Sequence, residues 1–409
     1  MNRVVVTGMA GISPLGASWA DVSAALKNSV SGIRHMADWA GYKDLRTNLA
    51  GPAQGFEIPP HFTRKVMRTM GRVSKMSVTV TEMALDDAGL LGDPELSNGR
   101  TGVAYGSSTG SPDATLEFGS MLLNKSLDGL SATSYIRMMP HTTAVNIGVH
   151  FKLRGRVLTT SSACTSGSQG VGYAFEAIRS GKQTMMVAGG GEELCATEAA
   201  VFDTLYATST KNDTPTQTPS PFDAERDGLV IGEGACTLVL EEYEHAKARG
   251  AKIYAEIVGF ATNSDGTHVT RPNSETMELV MRMALEDAEV PASEIGYVCA
   301  HGTATEHGDI AESQATQRLF GSSKPVSSLK GHMGHTLGAC GALESWMSIQ
   351  MMNENWYAPT LNLKTPDSRC GDLDYIIGQP IERESEYVVN NNFAFGGINT
   401  SLVFKRYAA

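Results

Sequence analysis

The chain has 409 residues and a formal net charge of −11, with 41% hydrophobic and 19% charged residues. This composition is that of a folded globular protein and excludes disordered, collagen-like and disulfide-rich classes. The negative charge opposes non-specific binding to nucleic acid, which requires a broadly basic face. A chain of this length is expected to form two domains or two closely fused halves.

The N-terminus carries no recognisable targeting signal. Residues 1–3 lead into the apolar run 4–6, which is too short for a signal peptide, and no later segment has the apolar length of a membrane helix. We therefore expect a cytoplasmic protein that makes no membrane contact.

The cysteines and glycines argue against two further kinds of site. The cysteines are scattered without a C-x-x-C pair, which predicts neither a zinc ribbon nor a disulfide framework. Gly8, Gly11 and Gly16 lack the G-x-G-x-x-G spacing, and no P-loop motif is present, so a nucleotide cofactor lacks support. The cysteines are Cys164, Cys195, Cys236, Cys299, Cys340 and Cys370.

Apolar runs rich in β-branched residues alternate with segments of helical periodicity along the chain. This alternation predicts parallel sheets covered by helices, an α/β fold. In chain order, the predicted elements are strand 4–7, helix 73–91, strand 102–105, strand 157–160, strand 254–259, helix 274–288, strand 296–300 and strand 401–404.

A six-residue sequence occurs twice. Residues 83–88 read MALDDA and residues 283–288 read MALEDA, each inside a predicted helix that is followed by a short buried strand. A chance match is the alternative, but the matching structural context favours an internal duplication. The join is expected near residues 249–252, which divides the chain into an N-terminal half, 1–250, and a C-terminal half, 251–409.

Cys164 lies between a predicted strand and a predicted helix. Small residues follow strand 157–160, and apolar residues then recur at helical spacing over 171–178. The N-terminus of a helix offers free N–H groups and a positive dipole end, which favour a thiolate and can bind a developing oxyanion. A buried structural cysteine is the alternative. The small neighbours favour a nucleophile because they let a substrate approach.

Two further motifs supply candidate bases for this thiol. His301 begins an H-G-T-A-T sequence directly after a predicted strand, and ligand sites in α/β sheets gather at such strand ends. Residues 330–342 read KGHMGHTLGACGA, where glycines flank His335. His332 and His335 could bind a metal ion as a pair. Their three-residue spacing without nearby acidic or cysteine ligands is a weak signal for zinc, so we discount this site. We predict no metal.

A third motif, NFAFGGIN at 392–399, precedes the last predicted strand. Its glycines suit a backbone that presses against an active site. Together with five other segments, this motif makes the chain resemble the β-ketoacyl-acyl carrier protein synthase family. The other segments are Ala163 to Gly167, Pro221 to Asp223, Gly232 to Gly234, His301 to Thr305 and Lys330 to His335. The resemblance spans nearly the whole chain and is closest to the elongating synthases of types I and II.

The resemblance implies a thiolase-like fold of five layers, αβαβα, built from two similar halves and usually found as a dimer. It implies that Cys164 accepts an acyl group from acyl carrier protein, with the backbone N–H groups of Cys164 and Phe395 forming the oxyanion hole. His301 and His335 would stabilise the enolate formed when malonyl carrier protein loses carbon dioxide, and the enolate would attack the Cys164 thioester. No cofactor is implied, since the substrates themselves carry phosphopantetheine.

The resemblance also implies supporting residues. Lys330 matches the family lysine, with Glu312 expected as its charge partner and Asp309 in support. The residues expected to contact the pantetheine arm are Thr303, Thr305 and Thr270.

Two further expectations concern the acyl chain and its carrier. Thr109 and Phe202 are expected to line the acyl tunnel, where the small, polar Thr109 would admit a longer or less saturated chain. A basic patch for the acidic carrier is expected on one helical face, with an ordinary solvated face as the alternative. Its candidate residues are Arg64, Lys65, Arg68 and Arg72.

Alternative functions remain open. The chain departs from the family pattern at His332, Ala394 and Ile398, which bears on acyl specificity. A ketosynthase of a specialised polyketide or aryl polyene pathway, paired with a chain-length-factor-like subunit in a heterodimer rather than a homodimer, is the second hypothesis. A non-catalytic subunit that binds carrier protein is the third, and the retained Cys164 argues against it.

Overall fold

A computed structural model describes residues 1–408 and shows a mixed α/β fold. The strands are β1 (Val4–Ile12), β2 (Arg34–His35), β3 (Leu49–Gly51), β4 (Thr101–Gly106), β5 (Val157–Thr160), β6 (Met185–Glu192), β7 (Ile231–Gly232), β8 (Gly234–Glu242), β9 (Ala255–Ser264), β10 (Ile295–Cys299), β11 (Pro325–Ser327), β12 (Trp356–Tyr357), β13 (Asp374–Tyr375), β14 (Ile381–Glu382), β15 (Tyr387–Ala394) and β16 (Ile398–Arg406).

The helices separate and cover these strands. They are α1 (Trp19–Lys27), α2 (Arg72–Asp87), α3 (Pro112–Asn124), α4 (Ala132–Met138), α5 (Thr142–His150), α6 (Ser166–Arg179), α7 (Ala196–Asp203), α8 (Tyr243–Ala248), α9 (Ser274–Ala288), α10 (Glu306–Phe320), α11 (Lys330–Met333) and α12 (Cys340–Glu354). No helix within residues 1–408 is long and apolar enough to cross a membrane. The cytoplasmic location stays a prediction.

The main sheet is a two-fold repeat of one strand order. Its first half runs β5-β4-β6-β8-β1 and its second half runs β11-β10-β15-β16-β9, with β13 added outside β11. The halves join where β1 pairs with β9 in an antiparallel register. The duplicated fold inferred from the repeated hexapeptide is therefore confirmed, whereas the proposed boundary at residue 250 stays a prediction.

The prediction of parallel sheets is only partly correct. β4 pairs in parallel with β5 and β6, and β10 pairs in parallel with β11 and β15. The pairs nearer the join, β6 with β8, β8 with β1, β15 with β16 and β16 with β9, are antiparallel. In the second half β15 and β16 are linked by a short turn that reverses the chain direction. The sheet is therefore mixed, with the parallel strands on the outer side of each half.

Two buried helices form the layer between the halves. Helix α6 of the first half packs against helix α12 of the second, and nearly every residue of both is buried. Helices α2 and α5 cover the outer face of the first half, and α9 and α10 cover that of the second. This is the αβαβα layering expected from the resemblance, and it places the N-termini of α6 and α12 in the interior.

The repeated hexapeptide is explained by one packing contact used twice. A Cβ added to Gly8 of β1 would lie 2.7 Å from the Cβ of Ala88, and one added to Gly259 of β9 would lie 2.7 Å from the Cβ of Ala288. Such separations are far inside van der Waals contact. Each strand therefore requires glycine where its helix presents an alanine.

The acidic residue of each hexapeptide also makes equivalent bonds. Asp87 accepts a hydrogen bond from the backbone N–H of Met9 at 3.0 Å, and Asp287 accepts one from the N–H of Phe260 at 3.1 Å. In each half the donor is the residue directly after the packing glycine. The two bonds fix helix and strand in the same relative register.

This packing predicts that Gly8→Ala and Gly259→Ala each lower the free energy of unfolding by about 3 kcal/mol, because the added methyl group meets a helix that cannot move away. Gly119→Ala in α3 is the matched control, since nothing lies within 4 Å of its added Cβ. The control should be neutral or stabilise by up to about 1 kcal/mol. Denaturant unfolding measures all three, and equal effects would contradict the packing argument.

Candidate active site

Cys164 lies in the tight turn between β5 and α6, where the sequence predicted it. The turn is a short 3₁₀ segment, Ala163–Thr165, and Ala163 has a φ of +51°. This left-handed conformation is strained for a residue with a side chain. Cys164 is 5% exposed and lies two residues before Ser166, the first residue of α6.

Two histidines from the second half meet this thiol. The Nε2 atom of His335 lies 2.9 Å from the Sγ atom of Cys164. The rings of His301 and His335 are perpendicular, with an interplanar angle of 89° and centroids 5.0 Å apart. One ligating atom from each of these three residues lies within 4.8 Å of the others, a spacing that could also hold a soft metal ion.

His332, which the sequence offered as a possible metal ligand with His335, has a packing role in the structure. His332 is fully buried, and its ring nitrogens lie 3.2 Å from the carbonyl oxygen of Val30 and 3.0 Å from that of Pro359. Because both nitrogens are engaged by backbone carbonyls, His332 serves packing and does not share a ligand set with His335.

Both active-site histidines are uncharged at neutral pH. Burial lowers the pKa of His301 well below its ordinary value, and the nearby Lys330 ammonium adds to the effect. Burial and Lys330 lower the pKa of His335 in the same way. The site therefore presents two neutral imidazoles beside one fixed positive charge.

Lys330 fixes the tautomer of His301. Its Nζ atom lies 3.2 Å from Nδ1 of His301. Since an ammonium group only donates hydrogen bonds, Nδ1 must accept, and the proton of the neutral ring must be on Nε2. His335 has no such partner: its Nδ1 atom is unpaired among residues 1–408. The proton of His335 can therefore occupy either ring nitrogen.

The predicted partner of Lys330 is wrong. Lys330 forms a fully buried ion pair with Glu344 of α12 instead of Glu312. Burial opposes the charge of Lys330, but the Glu344 carboxylate outweighs it and raises the pKa of Lys330 above its ordinary value. Asn392 holds the other carboxylate oxygen of Glu344 at 2.7 Å. The available signal for Glu344 was an acid within the first turns of α12, a helix whose other acid is its last residue, Glu354.

Glu312 and Asp309 instead hold the loop that carries His301. Glu312 accepts hydrogen bonds from the backbone N–H groups of His301 and Gly302, both at 2.7 Å. Asp309 accepts from the N–H groups of Thr303 at 3.0 Å and of the following alanine at 3.1 Å. Both acids therefore act on the backbone of the loop, because their own helix, α10, follows it directly.

The backbone around the thiol provides two converging donors. Burial raises the pKa of the Cys164 thiol to about 12, while Lys330 and the N–H groups of Cys164 and Phe395 oppose this rise. Phe395 lies in the turn between β15 and β16, where Gly396 and Gly397 have φ values of +90° and +68°. These left-handed positions favour glycine and direct the N–H of Phe395 towards the sulfur.

A cavity of about 480 Å³ opens onto these groups. Its buried end holds Cys164, His301 and His335, and Phe202 and Phe395 form an aromatic wall with ring centroids 5.3 Å apart. Its exposed end includes Val269, which is 69% exposed. The residues expected to contact a pantetheine arm, Thr270, Thr303 and Thr305, all line it.

Thr109 lies outside this cavity. It is exposed, and its hydroxyl group bonds to two acids, Glu192 at 3.0 Å and Glu198 at 2.9 Å. Its expected place in the acyl tunnel stays a prediction, as does that of Phe202, although the ring of Phe202 does face Cys164 across the cavity.

The spacing of the basic residues predicts that they share one helical face, and this prediction is wrong. Residues 64–65 form a turn, Val66–Thr69 is a short 3₁₀ helix, and α2 begins only at Arg72. The helix is interrupted because Gly71 precedes α2 in an extended conformation. Arg64, Lys65 and Arg68 are exposed, whereas Arg72 is paired bidentately with Glu233.

Comparison with known proteins identifies the neighbours of this chain. Residues 1–246 match the family described as Beta-ketoacyl synthase, N-terminal domain, and residues 254–364 match Beta-ketoacyl synthase, C-terminal domain. The 3-oxoacyl-[acyl-carrier-protein] synthase 1 of Haemophilus influenzae is 37% identical over 413 residues, covering 100% of each chain.

Two solved structures extend the comparison. A Beta-ketoacyl synthase from Burkholderia phymatum is 58% identical with a TM-score of 0.99, covering 100% of both chains. The ishigamide ketosynthase/chain length factor is 29% identical with a TM-score of 0.90, again covering 100% of both chains.

The buried ion pair predicts a large effect of Glu344→Ala on stability. Removing the carboxylate leaves Lys330 charged and unpaired in the interior, which should lower the free energy of unfolding by about 3–5 kcal/mol. The control is Glu278→Ala, which removes an acid paired with two partly exposed arginines, Arg282 and Arg318. The control should cost about 0.5 kcal/mol. Similar losses in thermal or denaturant unfolding would contradict the role assigned to Glu344.

Proposed function

Because the chain belongs to the β-ketoacyl synthase family, we propose that it performs the family's decarboxylative Claisen condensation with Cys164 as nucleophile and His301 and His335 as catalytic histidines. It joins an acyl group to malonyl-acyl carrier protein and gives β-ketoacyl-acyl carrier protein and carbon dioxide. The observation that carries the assignment is the 2.9 Å contact between Nε2 of His335 and Sγ of Cys164 at the end of a cavity. The enzyme is an acyltransferase.

The first half-reaction transfers the acyl group to Cys164. The thiol loses its proton to Nε2 of His335, and the sulfur attacks the carbonyl carbon of the acyl thioester. The N–H groups of Cys164 and Phe395 converge on this position and would bind the oxyanion. The carrier thiol then leaves, taking the proton back from His335, and Cys164 remains acylated.

The second half-reaction removes carbon dioxide from the malonyl group. The bond to the carboxylate breaks, and its electrons form an enolate on the thioester. His301 donates to the enolate oxygen from Nε2, because Lys330 holds Nδ1 as an acceptor. His335 adds a second donor, since nothing among residues 1–408 fixes its tautomer. The enolate carbon attacks the acyl carbonyl, and Cys164 leaves as a thiolate.

Lys330 is a positioning residue in this mechanism. It is fully buried and reaches the reacting atoms only through His301. Glu344 keeps it charged, and the charge keeps both imidazoles neutral. A neutral histidine remains a hydrogen-bond donor without opposing the departure of the malonyl carboxylate as a cation would.

Acyl carrier protein is the proposed partner in both half-reactions. Its pantetheine arm would follow the cavity past Thr270, Thr303 and Thr305, whose hydroxyl groups suit the amides of the arm. The name of the Haemophilus influenzae relative states the same acceptor. No cofactor of the enzyme's own enters either step, because the substrates bring the pantetheine with them.

We propose a homodimer formed along β5. This strand is the outer strand of its half of the sheet, and its residue Val157 is 50% exposed. An unpaired strand edge with exposed apolar side chains is suited to pairing with a second strand. A heterodimer with a related subunit is the alternative, favoured by the likeness to a ketosynthase/chain length factor. The same likeness keeps a specialised polyketide pathway as the second candidate.

The nucleophile assignment predicts that Cys164→Ala prevents acylation. Wild-type enzyme incubated with acyl carrier protein should gain the mass of one acyl group, and the variant should gain none while remaining folded. Cys370→Ala is the control, because that cysteine is partly exposed and is not among the residues that line the cavity. Intact-protein mass spectrometry decides, and an acylated Cys164→Ala protein would overturn the assignment.

The neutral histidines predict a flat pH profile for decarboxylation. Because burial lowers both pKa values, the neutral rings persist as the pH falls and are lost only below their lowered values. Carbon dioxide release from malonyl carrier protein should therefore stay constant between about pH 6 and pH 8. The Cys164→Ala enzyme isolates this step from condensation. An inflection near 6.5, the ordinary histidine value, would show that a histidine must be protonated or deprotonated in that range.

The docking assignment predicts that Arg68→Glu raises the Michaelis constant for carrier-bound substrates by about tenfold at low salt and weakens its salt dependence. Lys182→Glu is the control, because Lys182 lies before β6, at the end of the sheet opposite Cys164. Steady-state kinetics at several salt concentrations provide the measurement. If both variants behave alike, the exposed arginine is an ordinary solvated residue.

A further inference from the structure

Two buried glutamates beside the active site are joined by the hydroxyl of Thr109. Glu192 accepts hydrogen bonds from the Ser107 hydroxyl at 2.9 Å, the Ser108 N–H at 2.8 Å and the Gly338 N–H at 3.0 Å. Both carboxyl oxygens of Glu192 are therefore hydrogen-bonded. Glu198 has no comparable set: within residues 1–408 its side chain is hydrogen-bonded to Thr109 alone.

Glu198 is therefore the carboxyl group of the pair with fewer hydrogen-bond donors. It is 4% exposed, and burial, followed by the neighbouring Glu192, raises its pKa well above the ordinary value. Burial without compensating donors favours the protonated form of a carboxyl group.

Thr109 has a single hydroxyl proton and two acids within reach. Its hydroxyl oxygen lies 3.0 Å from Oε1 of Glu192 and 2.9 Å from Oε1 of Glu198, so the hydroxyl donates to only one of them at a time. A protonated Glu198 would donate to Thr109 through Oε1 and keep Oε2 as a carbonyl acceptor. The Oε2 atom of Glu198 has no hydrogen-bond partner among residues 1–408.

Glu198 lies on the same helix as Phe202, a residue that lines the reaction cavity. Glu198 precedes Phe202 by one turn on the buried face of α7, and side chains at this spacing lie about 5–6 Å apart. Phe202 forms the cavity wall with Phe395. The surroundings are otherwise apolar, since Ala196, Ala199 and Phe202 belong to one hydrophobic cluster.

We propose that Glu198 sets primer specificity by accepting a hydrogen bond from a hydroxyl group on the acyl chain carried by Cys164. The proposal rests on the proposed function, including the acyl tunnel between Phe202 and Thr109. A plain alkyl chain would cover the acceptor and leave it unsatisfied, which is costly in an apolar interior. A hydroxyl group on the acyl chain, placed about one helical turn beyond the wall formed by Phe202 and Phe395, would donate a hydrogen bond to this acceptor.

The test compares acyl carrier proteins whose primers have the same length and differ only in a hydroxyl group placed at successive carbons. The measured quantity is kcat/KM for condensation with malonyl carrier protein. Wild-type enzyme should prefer one hydroxylated primer over its unsubstituted match by about tenfold. Glu198→Gln should keep the preference, because its amide group can donate to Thr109 and turn its oxygen to the chain. Glu198→Leu should reduce the ratio to about one.

Glu193→Gln is the matched control, since Glu193 is also buried but is bonded to the N–H of Val73 at 2.7 Å and to Ser111 at 3.1 Å. It should leave the preference unchanged. A wild-type enzyme that uses both primers equally would overturn the proposal, as would a preference that survives Glu198→Leu. The latter result would mean that a group other than the Glu198 carboxyl recognises the hydroxyl. If neither primer acylates Cys164, the proposed function itself fails, so the two failures are distinguishable.

Discussion

The buried pair of Lys330 and Glu344 is the interaction on which the site depends. Both side chains are fully buried, so neither charge is screened by water and each requires the other. The pair also bears on the proposed chemistry, because the Lys330 ammonium sets the tautomer of His301 and adds to burial in lowering the pKa of both histidines. Burying a charged pair of this kind costs desolvation free energy. Its contribution lies in fixing proton positions that a well-packed apolar core could not specify.

The duplicated architecture explains how distant residues meet. The first half supplies Cys164 at the start of α6, and the second half supplies His301, His335 and the Lys330–Glu344 pair. Helices α6 and α12 pack against one another in the central layer, so their N-terminal turns converge in the interior. Neither half contains a complete site. Catalysis therefore requires the register fixed by the join of β1 and β9 and by the repeated helix contacts.

The sequence allowed the fold class, the duplication and the local settings of the candidate catalytic residues Cys164 and His301 to be predicted, because each left a local pattern. Cys164 lies at a strand-to-helix turn and His301 at a strand end, and both patterns are readable without distances. The partner of Lys330 was not predicted correctly, because Glu312 and Glu344 are both acids on buried helices and only the three-dimensional packing distinguishes them. The continuous helical face over residues 64–72 failed for a related reason: charge spacing suggested a helix that Gly71 interrupts.

The two halves differ at the outer ends of the sheet. In the second half β13 pairs with β11 and covers its edge, whereas β5, the equivalent strand of the first half, has no strand on its outer side within residues 1–408. A duplicated protein with two open edges could add copies at both ends and grow into a fibre. β13, the outer strand of the second half, has only two residues, and its acidic residue Asp374 is exposed. An edge this short and acidic gives another strand little backbone to pair with, which limits growth of the sheet from that end.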